Sequence, residues 1–140
     1  GLEKKNSILF SDGNVLRVKN KLKLYTLLVK PNFGCSTKEI YSKIRSFSSK
    51  SLKRKKANYF KISIILNLKN DLEKIALKKY PKLQKLKSFM EKLPNVKIVR
   101  MSGSGSTFIA YFKSKNASIN AAKLLKRTYK NYWCILSKTI

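Results

Sequence analysis

The most constraining stretch of this chain is Arg100-Met101-Ser102-Gly103-Ser104-Gly105-Ser106-Thr107. Val96-Lys97-Ile98-Val99 before it and Phe108-Ile109-Ala110-Tyr111-Phe112 after it both read as strands, with alternating glycines and serines between. Glycine admits positive φ and close approach of another surface, and serine supplies small donors and acceptors. Consecutive amides in such a turn can form a nest for phosphate oxygens or a neighbouring acidic loop. The glycine runs of P-loop and Rossmann sites open a helix whose N-terminus holds the anion. Here a strand follows, so both motifs are excluded and a β-hairpin is required. From the residues alone, a plain Gly/Ser hairpin without a ligand stays open.

The chain has 140 residues, 43% hydrophobic and 11% aromatic, enough for one domain with a core and unlike a disordered segment. No apolar run approaches the roughly 20 residues of a spanning helix, and no membrane partner is expected. The start, Gly1-Leu2-Glu3-Lys4-Lys5, has no Met and no apolar core, which points to a piece of something longer without a signal peptide. The net charge of +27 would ordinarily indicate nucleic acid. Only five of the 33 basic residues are arginine, however, and the lysines are spread along the whole chain. Base and phosphate readers favour clustered arginine forks, so no specific nucleic-acid partner is expected. Cys35 and Cys134 stand far apart and there is no histidine. That excludes a zinc spacing, a disulfide framework and a Ser-His or Cys-His nucleophile pair, and it fits a reducing cytoplasm.

Along the chain, Ser7-Ile8-Leu9-Phe10 and Val15-Leu16-Arg17-Val18 flank Ser11-Asp12-Gly13-Asn14, a hairpin signal. Leu22 to Val29 reads as a central strand covered on both faces, ended by Pro31. Ser36-Thr37-Lys38-Glu39 forms a capping box. It predicts a helix from Thr37 to Phe47 with Ile40, Ile44 and Phe47 buried, and Tyr41 beside that stripe in the first turn. Residues 46–58 read as a Ser- and Lys-rich surface connection, and Tyr59 to Leu68 as either strand or buried helix. Asn70 caps a helix reaching Tyr80. Pro81 starts another, with Leu83, Leu86, Phe89 and Met90 on its apolar face. Asn116 is expected to cap a last helix facing Ile119, Ala122, Leu125 and Tyr129 inward, before a final strand at Tyr132 to Leu136.

Without the leading hairpin and the helical insertion, the order is strand, helix, strand, strand, helix, strand. That is the split βαβ, ferredoxin-like α+β arrangement: an antiparallel sheet with helices on one face.

Three stretches carry a resemblance: Val29-Lys30-Pro31-Asn32-Phe33-Gly34-Cys35-Ser36-Thr37-Lys38-Glu39-Ile40-Tyr41; Asn70-Asp71-Leu72-Glu73 with Ala76 and Tyr80-Pro81; and Arg100-Met101-Ser102-Gly103-Ser104-Gly105-Ser106. In order and separation the chain resembles the C-terminal portion of a GHMP-superfamily small-molecule kinase. Within that superfamily it looks most like the branch acting on a cytidine-diphosphate-linked methylerythritol in non-mevalonate isoprenoid synthesis. The resemblance implies a GHMP kinase C-terminal domain over residues 21–140, with residues 1–20 closing a preceding N-terminal domain. It implies ATP-dependent phosphorylation of the substrate's 2-hydroxyl. The phosphate loop, the catalytic Lys and Asp, and most contacts to ATP and Mg2+ belong to that N-terminal domain, which is also this domain's partner. No catalytic residue and no metal ligand is then expected here. Tyr41 is expected to stack on cytosine, with Thr37 and Ser36 beside the substrate. Ser102, Gly103, Ser104, Gly105 and Ser106 are expected to face the phosphate loop at the domain junction, while Asn70-Asp71-Leu72-Glu73 is expected to be structural. Competing readings are another GHMP kinase, for homoserine, mevalonate or a sugar, and a basic RNA-binding ferredoxin-like module. The latter would need stacking aromatics on the open sheet face.

Overall fold

The computed structural model describes residues 6–9, 15–18, 23–44 and 70–139 of the chain. The turn at Ser11 to Asn14, the connection at 46–58, Phe47 and the ambiguous stretch from Tyr59 to Leu68 lie outside the described residues. Strands β1 (Asn6–Leu9) and β2 (Val15–Val18) pair antiparallel, with Ile8 opposite Leu16, as a separate two-stranded sheet.

The main sheet holds β3 (Tyr25–Lys30), β4 (Val96–Met101), β5 (Phe108–Phe112) and β6 (Trp133–Lys138) in the order β4-β5-β3-β6, with every pair antiparallel. Each split βαβ unit therefore has a foreign strand between its two strands, which is the ferredoxin-like topology. Between β3 and β4 lie α1 (Thr37–Ser42), α2 (Asp71–Lys79) and α3 (Pro81–Glu91), and α4 (Lys115–Thr128) connects β5 to β6. Helix α3 packs on β4 and β5, and α4 on β3, β5 and β6.

The core lies between this helical layer and one sheet face. Strand alternation sends Leu27 and Val29 of β3, and Phe108, Ala110 and Phe112 of β5, to that face, where all five are fully buried. They meet Leu83, Leu86 and Met90 of α3 and Leu125 of α4. A bulge at Lys97 lets Val96 pair with Phe112 while Ile98 pairs with Tyr111 on the opposite face.

Local details depart from the sequence reading in five places. Helix α1 ends at Ser42 instead of Phe47, and Ile44 packs on the core edge from beyond it. Strand β3 begins at Tyr25 instead of Leu22, although just before it Leu24 O accepts the Thr139 N–H and the Leu24 N–H donates to Thr139 Oγ1, each at 2.8 Å. β3 is interior, with Leu27 and Val29 buried beneath helices; on its other face Thr26 is buried too, and Leu28 only half-buried. Ser114, not Asn116, caps α4, accepting the Ala117 N–H at 3.3 Å. Both residue types cap well; the strand's end two residues before Ser114 decides which is used. The buried stripe of α4 is accordingly Ala117, Ser118, Ala121, Ala122 and Leu125, with Ile119 at its edge. Strand β6 spans Trp133–Lys138, later than read from sequence.

Phe108 and Phe112 are core residues, so neither is on the open face that RNA stacking needs. Tyr111 does lie on that face, half-buried, and burial pushes its phenol up from the ordinary tyrosine value, opposed by nearby Arg100. One ring without partners from its own strand is a poor base-stacking platform.

Candidate functional site at the glycine turn

The site begins with the loop after β3. Pro31 ends the strand, and the chain reaches Ser36, whose extended backbone and Oγ acceptor for the Glu39 N–H (3.4 Å) start α1. The reciprocal half of a capping box, the Glu39 side chain returning to the Ser36 N–H, is replaced. That N–H donates to the Tyr80 hydroxyl at 3.1 Å, and Glu39 pairs with Lys79. Phe33 anchors the loop against Tyr80 and Tyr132, its ring centroid 6.5 Å from each. Tyr132 stacks on Tyr129 at 4.8 Å, and Tyr129 meets Phe89 edge-on at 5.3 Å. A chain of aromatic rings thus ties the loop to α3 and to the start of β6. Cys35 sits in the same loop; burial pushes its thiol up from the usual value against a smaller pull from Lys79.

The second component is the turn between β4 and β5. The Ser102 N–H donates to Thr107 O at 2.8 Å and the Gly105 N–H to Ser102 O at 3.1 Å, which folds Ser102 to Thr107 into a compact loop. Gly103 has φ +55° and Gly105 has φ +96°, both on the side that glycine favours. Gly105 also packs closely: a Cβ there would lie 3.0 Å from Cys35 Sγ and 3.1 Å from Met101 Sδ. Among the described residues, the Gly103 and Ser104 N–H groups have no acceptor. Adjacent free amides of this kind are the donor set of a nest.

The third component is the start of α2. Asn70 caps that helix through Oδ1, which accepts the Leu72 N–H at 3.1 Å, and its Nδ2 donates to Met101 O (2.9 Å) and Gly103 O (2.8 Å). Glu73, buried and paired with Lys87, accepts the Met101 N–H through Oε2 at 3.1 Å. Charged hydrogen bonds of this sort contribute about 1.5–3 kcal/mol. Glu73→Ala leaves the Met101 N–H without its acceptor and Lys87 with only Glu91 at 3.6 Å, and is expected to destabilise the fold by about 2–3 kcal/mol. A thermal melt with unchanged Tm would refute that role.

These components meet. Thr37 Oγ1 lies 3.0 Å from Ser104 Oγ, joining α1 directly to the turn. Tyr41 is four residues on, hence on the same face of α1, and remains 53% exposed. Of the residues singled out from sequence, Thr37 and Ser104 are in direct contact and Gly105 packs against Cys35, while Ser36 bonds Tyr80 and Glu39 instead of the turn. Ser102 and Gly103 form the exposed tip of the turn, and Ser106 is buried beneath it. Asn70, Glu73 and Tyr80 are the participants that sequence reading left as structural. Asn70 was visible as a cap, but its two donor bonds to the turn span 31 and 33 residues and leave no local signal.

Sequence comparison identifies the class of protein to which this four-stranded ferredoxin-like sheet and its glycine turn belong. The family "GHMP kinases C terminal" matches residues 49–131, and the chain belongs to it. It is 51% identical over 140 residues to the 4-diphosphocytidyl-2-C-methyl-D-erythritol kinase of Pelagibacter ubique (strain HTCC1062), a match covering 100% of this chain and 50% of that protein. The enzyme of the same name from Clostridium perfringens (strain SM101 / Type A) is 35% identical over 120 residues, covering 81% of this chain and 41% of the relative. The chain therefore spans about half the length of the relatives it matches. Among solved structures, a 4-(cytidine 5'-diphospho)-2C-methyl-D-erythritol kinase superposes with TM-score 0.69 at 21% identity, over 87% of this chain and 45% of that one. A homoserine kinase from Cytophaga hutchinsonii superposes with TM-score 0.60 at 15% identity, over 98% and 49%. These two likenesses establish the fold.

Proposed function

We propose that this chain is the substrate-gripping half of an ATP-dependent kinase that phosphorylates the 2-hydroxyl of 4-diphosphocytidyl-2-C-methyl-D-erythritol. The observation that carries the reading is the junction of Thr37 with Ser104, which sets the exposed Tyr41 face beside a glycine turn with free amides. The relatives' shared name supports the substrate, and Tyr41 supplies what a cytosine requires. A ring stacked on a base contributes about 1–3 kcal/mol. Thr37 and Ser36 add hydroxyls at the entrance of the same helix. Residues 1–20 are read as the end of a preceding domain and 21–140 as the C-terminal domain.

In phosphoryl transfer the bond from γ-phosphorus to ADP breaks as the bond to the alcohol oxygen forms, so positioning and charge neutralisation dominate. This half contributes positioning: Tyr41 fixes the base and the glycine turn offers N–H donors at the junction. Among the described residues no group of three or more His, Cys, Asp or Glu could hold a metal ion. We assign the ion and the ATP phosphates to the preceding domain. The two free cysteines are in keeping with a cytoplasmic setting. No helix among the described residues is long and apolar enough to cross a membrane.

The deciding experiment is phosphoryl transfer by the full-length protein, with ATP and the cytidylyl substrate, read by mass spectrometry of the product. Turnover of homoserine, mevalonate or a sugar in preference to it would overturn the substrate assignment. Residues 1–140 alone are expected to transfer no phosphate; saturable kinase activity from this piece would overturn the division of labour.

A further inference from the structure

We infer that Asn70 is a positioning residue of the transfer reaction: its side chain holds the glycine turn in register with the substrate helix, in addition to capping α2. The inference rests on the kinase reading above for its activity arm, and on geometry alone for its structural arm.

An asparagine amide has two N–H donors and a carbonyl acceptor. Here all are used, and in two directions. Oδ1 faces its own helix and takes the Leu72 N–H at 3.1 Å. The two N–H groups face away from the helix, to Met101 O at 2.9 Å and Gly103 O at 2.8 Å. A residue needed only as a cap has no use for these donors, since serine, threonine or aspartate caps as well. Their targets bracket Ser102, and the second is the carbonyl of the peptide that leads into Ser104. Ser104 in turn meets Thr37 across 3.0 Å. The path from the start of α2 to the substrate helix is therefore Asn70, Gly103, Ser104, Thr37, all in direct contact or covalently linked.

The need for such a clamp follows from the turn itself. Its inner hydrogen bonds join Ser102 to Thr107 and Gly105 to Ser102; they close the turn around Gly103 and Ser104 but engage no backbone polar group of either residue. Glycine is the residue least restrained by its own backbone. Free amides at Gly103 and Ser104 aid a reaction only if their direction is fixed before the substrate arrives. Glu73 grips the Met101 N–H on the strand side, ahead of the turn. Among the described residues, Asn70 is the side chain that bonds the backbone of the tip, at Gly103 O, while Thr37 meets only the Ser104 hydroxyl.

Capping and clamping can be separated by substitution in the full-length protein. Asn70→Ser keeps a strong cap and loses both donors to the turn. Asn70→Asp keeps the cap and turns an acceptor toward two carbonyls; it stands in should the serine variant fail to fold. Amide hydrogen exchange is read for residues 101–107 and 71–79, together with kcat and KM. The expected result is at least tenfold faster exchange at Gly103 and Ser104 with α2 protection unchanged. With it, kcat should fall at least tenfold and melting stay within a few degrees of wild type. Unchanged exchange in the turn, or a loss of activity that merely follows loss of folded protein, would overturn the assignment. A wild-type protein that phosphorylates no cytidylyl substrate overturns the kinase reading instead, and the exchange comparison still upholds or overturns the hold of Asn70 on the turn.

Discussion

Gly105→Val in the full-length protein is expected to lower kcat/KM at least tenfold, equivalent to about 1.4 kcal/mol or more, and to lower Tm. Two independent costs add. At φ +96° an L-residue is strained, and a β-branched one most of all; strain of this kind costs about 1–3 kcal/mol. The new Cβ also lies 3.0 Å from Cys35 Sγ and 3.1 Å from Met101 Sδ, tighter than ordinary contact. Met101 can yield by rotating, but Cys35 is short and fixed to the Phe33 loop, so the crowding is passed to the segment that leads into α1. Gly103→Ala is the matched control. Its φ of +55° lies in the left-handed helical region and nothing stands within 4 Å of a Cβ there. It should cost about 1 kcal/mol, from backbone conformation alone. Equal effects from the two substitutions, or normal kinetics and melting for Gly105→Val, would show that close packing at Gly105 is irrelevant to the site.

Tyr41→Ala is expected to leave Tm nearly unchanged and weaken the cytidylyl substrate by roughly 1–3 kcal/mol, about five- to 150-fold in affinity. The direction follows from exposure. A ring 53% accessible at the end of a six-residue helix contributes little to the core, and surface substitutions typically move stability by less than about 0.5 kcal/mol. Stacking uses the ring face and not the hydroxyl, so Tyr41→Phe should be almost silent. A large fall in Tm with normal substrate affinity would make Tyr41 a packing residue and remove the cytosine assignment.

Elements set by local chemistry were readable in the chain; those set by distant contacts were not. Ser36, Asn70 and Pro81 start their helices where the sequence signals them, because a cap or an N1 proline acts within one turn. The antiparallel sheet followed from the order of apolar runs. The end of α1 was misread because Ile44 keeps the helical spacing while packing from outside the helix. Ser114 and Asn116 are equivalent caps two residues apart, and only the end of β5 chooses between them. The bulge at Lys97 has no sequence signature, since it shows only in the register against β5. In the candidate site, the glycine turn and the Thr37–Tyr41 helix were each legible as motifs. Their meeting at Ser104 was not, nor was Tyr80 taking over the Ser36 N–H from Glu39. In the site, what was not legible is each contact whose partner lies far along the chain.

The hydrogen bonds that assemble the site span 67, 44, 33, 31 and 28 residues. Each closes a long loop, whose entropy is lost before the contact returns anything. No short segment can therefore hold even a rudimentary version of the site; it exists only once sheet and helices are in place. Recognition and folding are consequently one equilibrium seen from two ends. A ligand that needs the finished junction binds the native state alone, and at a hundred times its dissociation constant it adds about 2.7 kcal/mol to the stability of the whole domain. Any condition that holds such a ligand well above its dissociation constant would thereby also hold more of the domain folded.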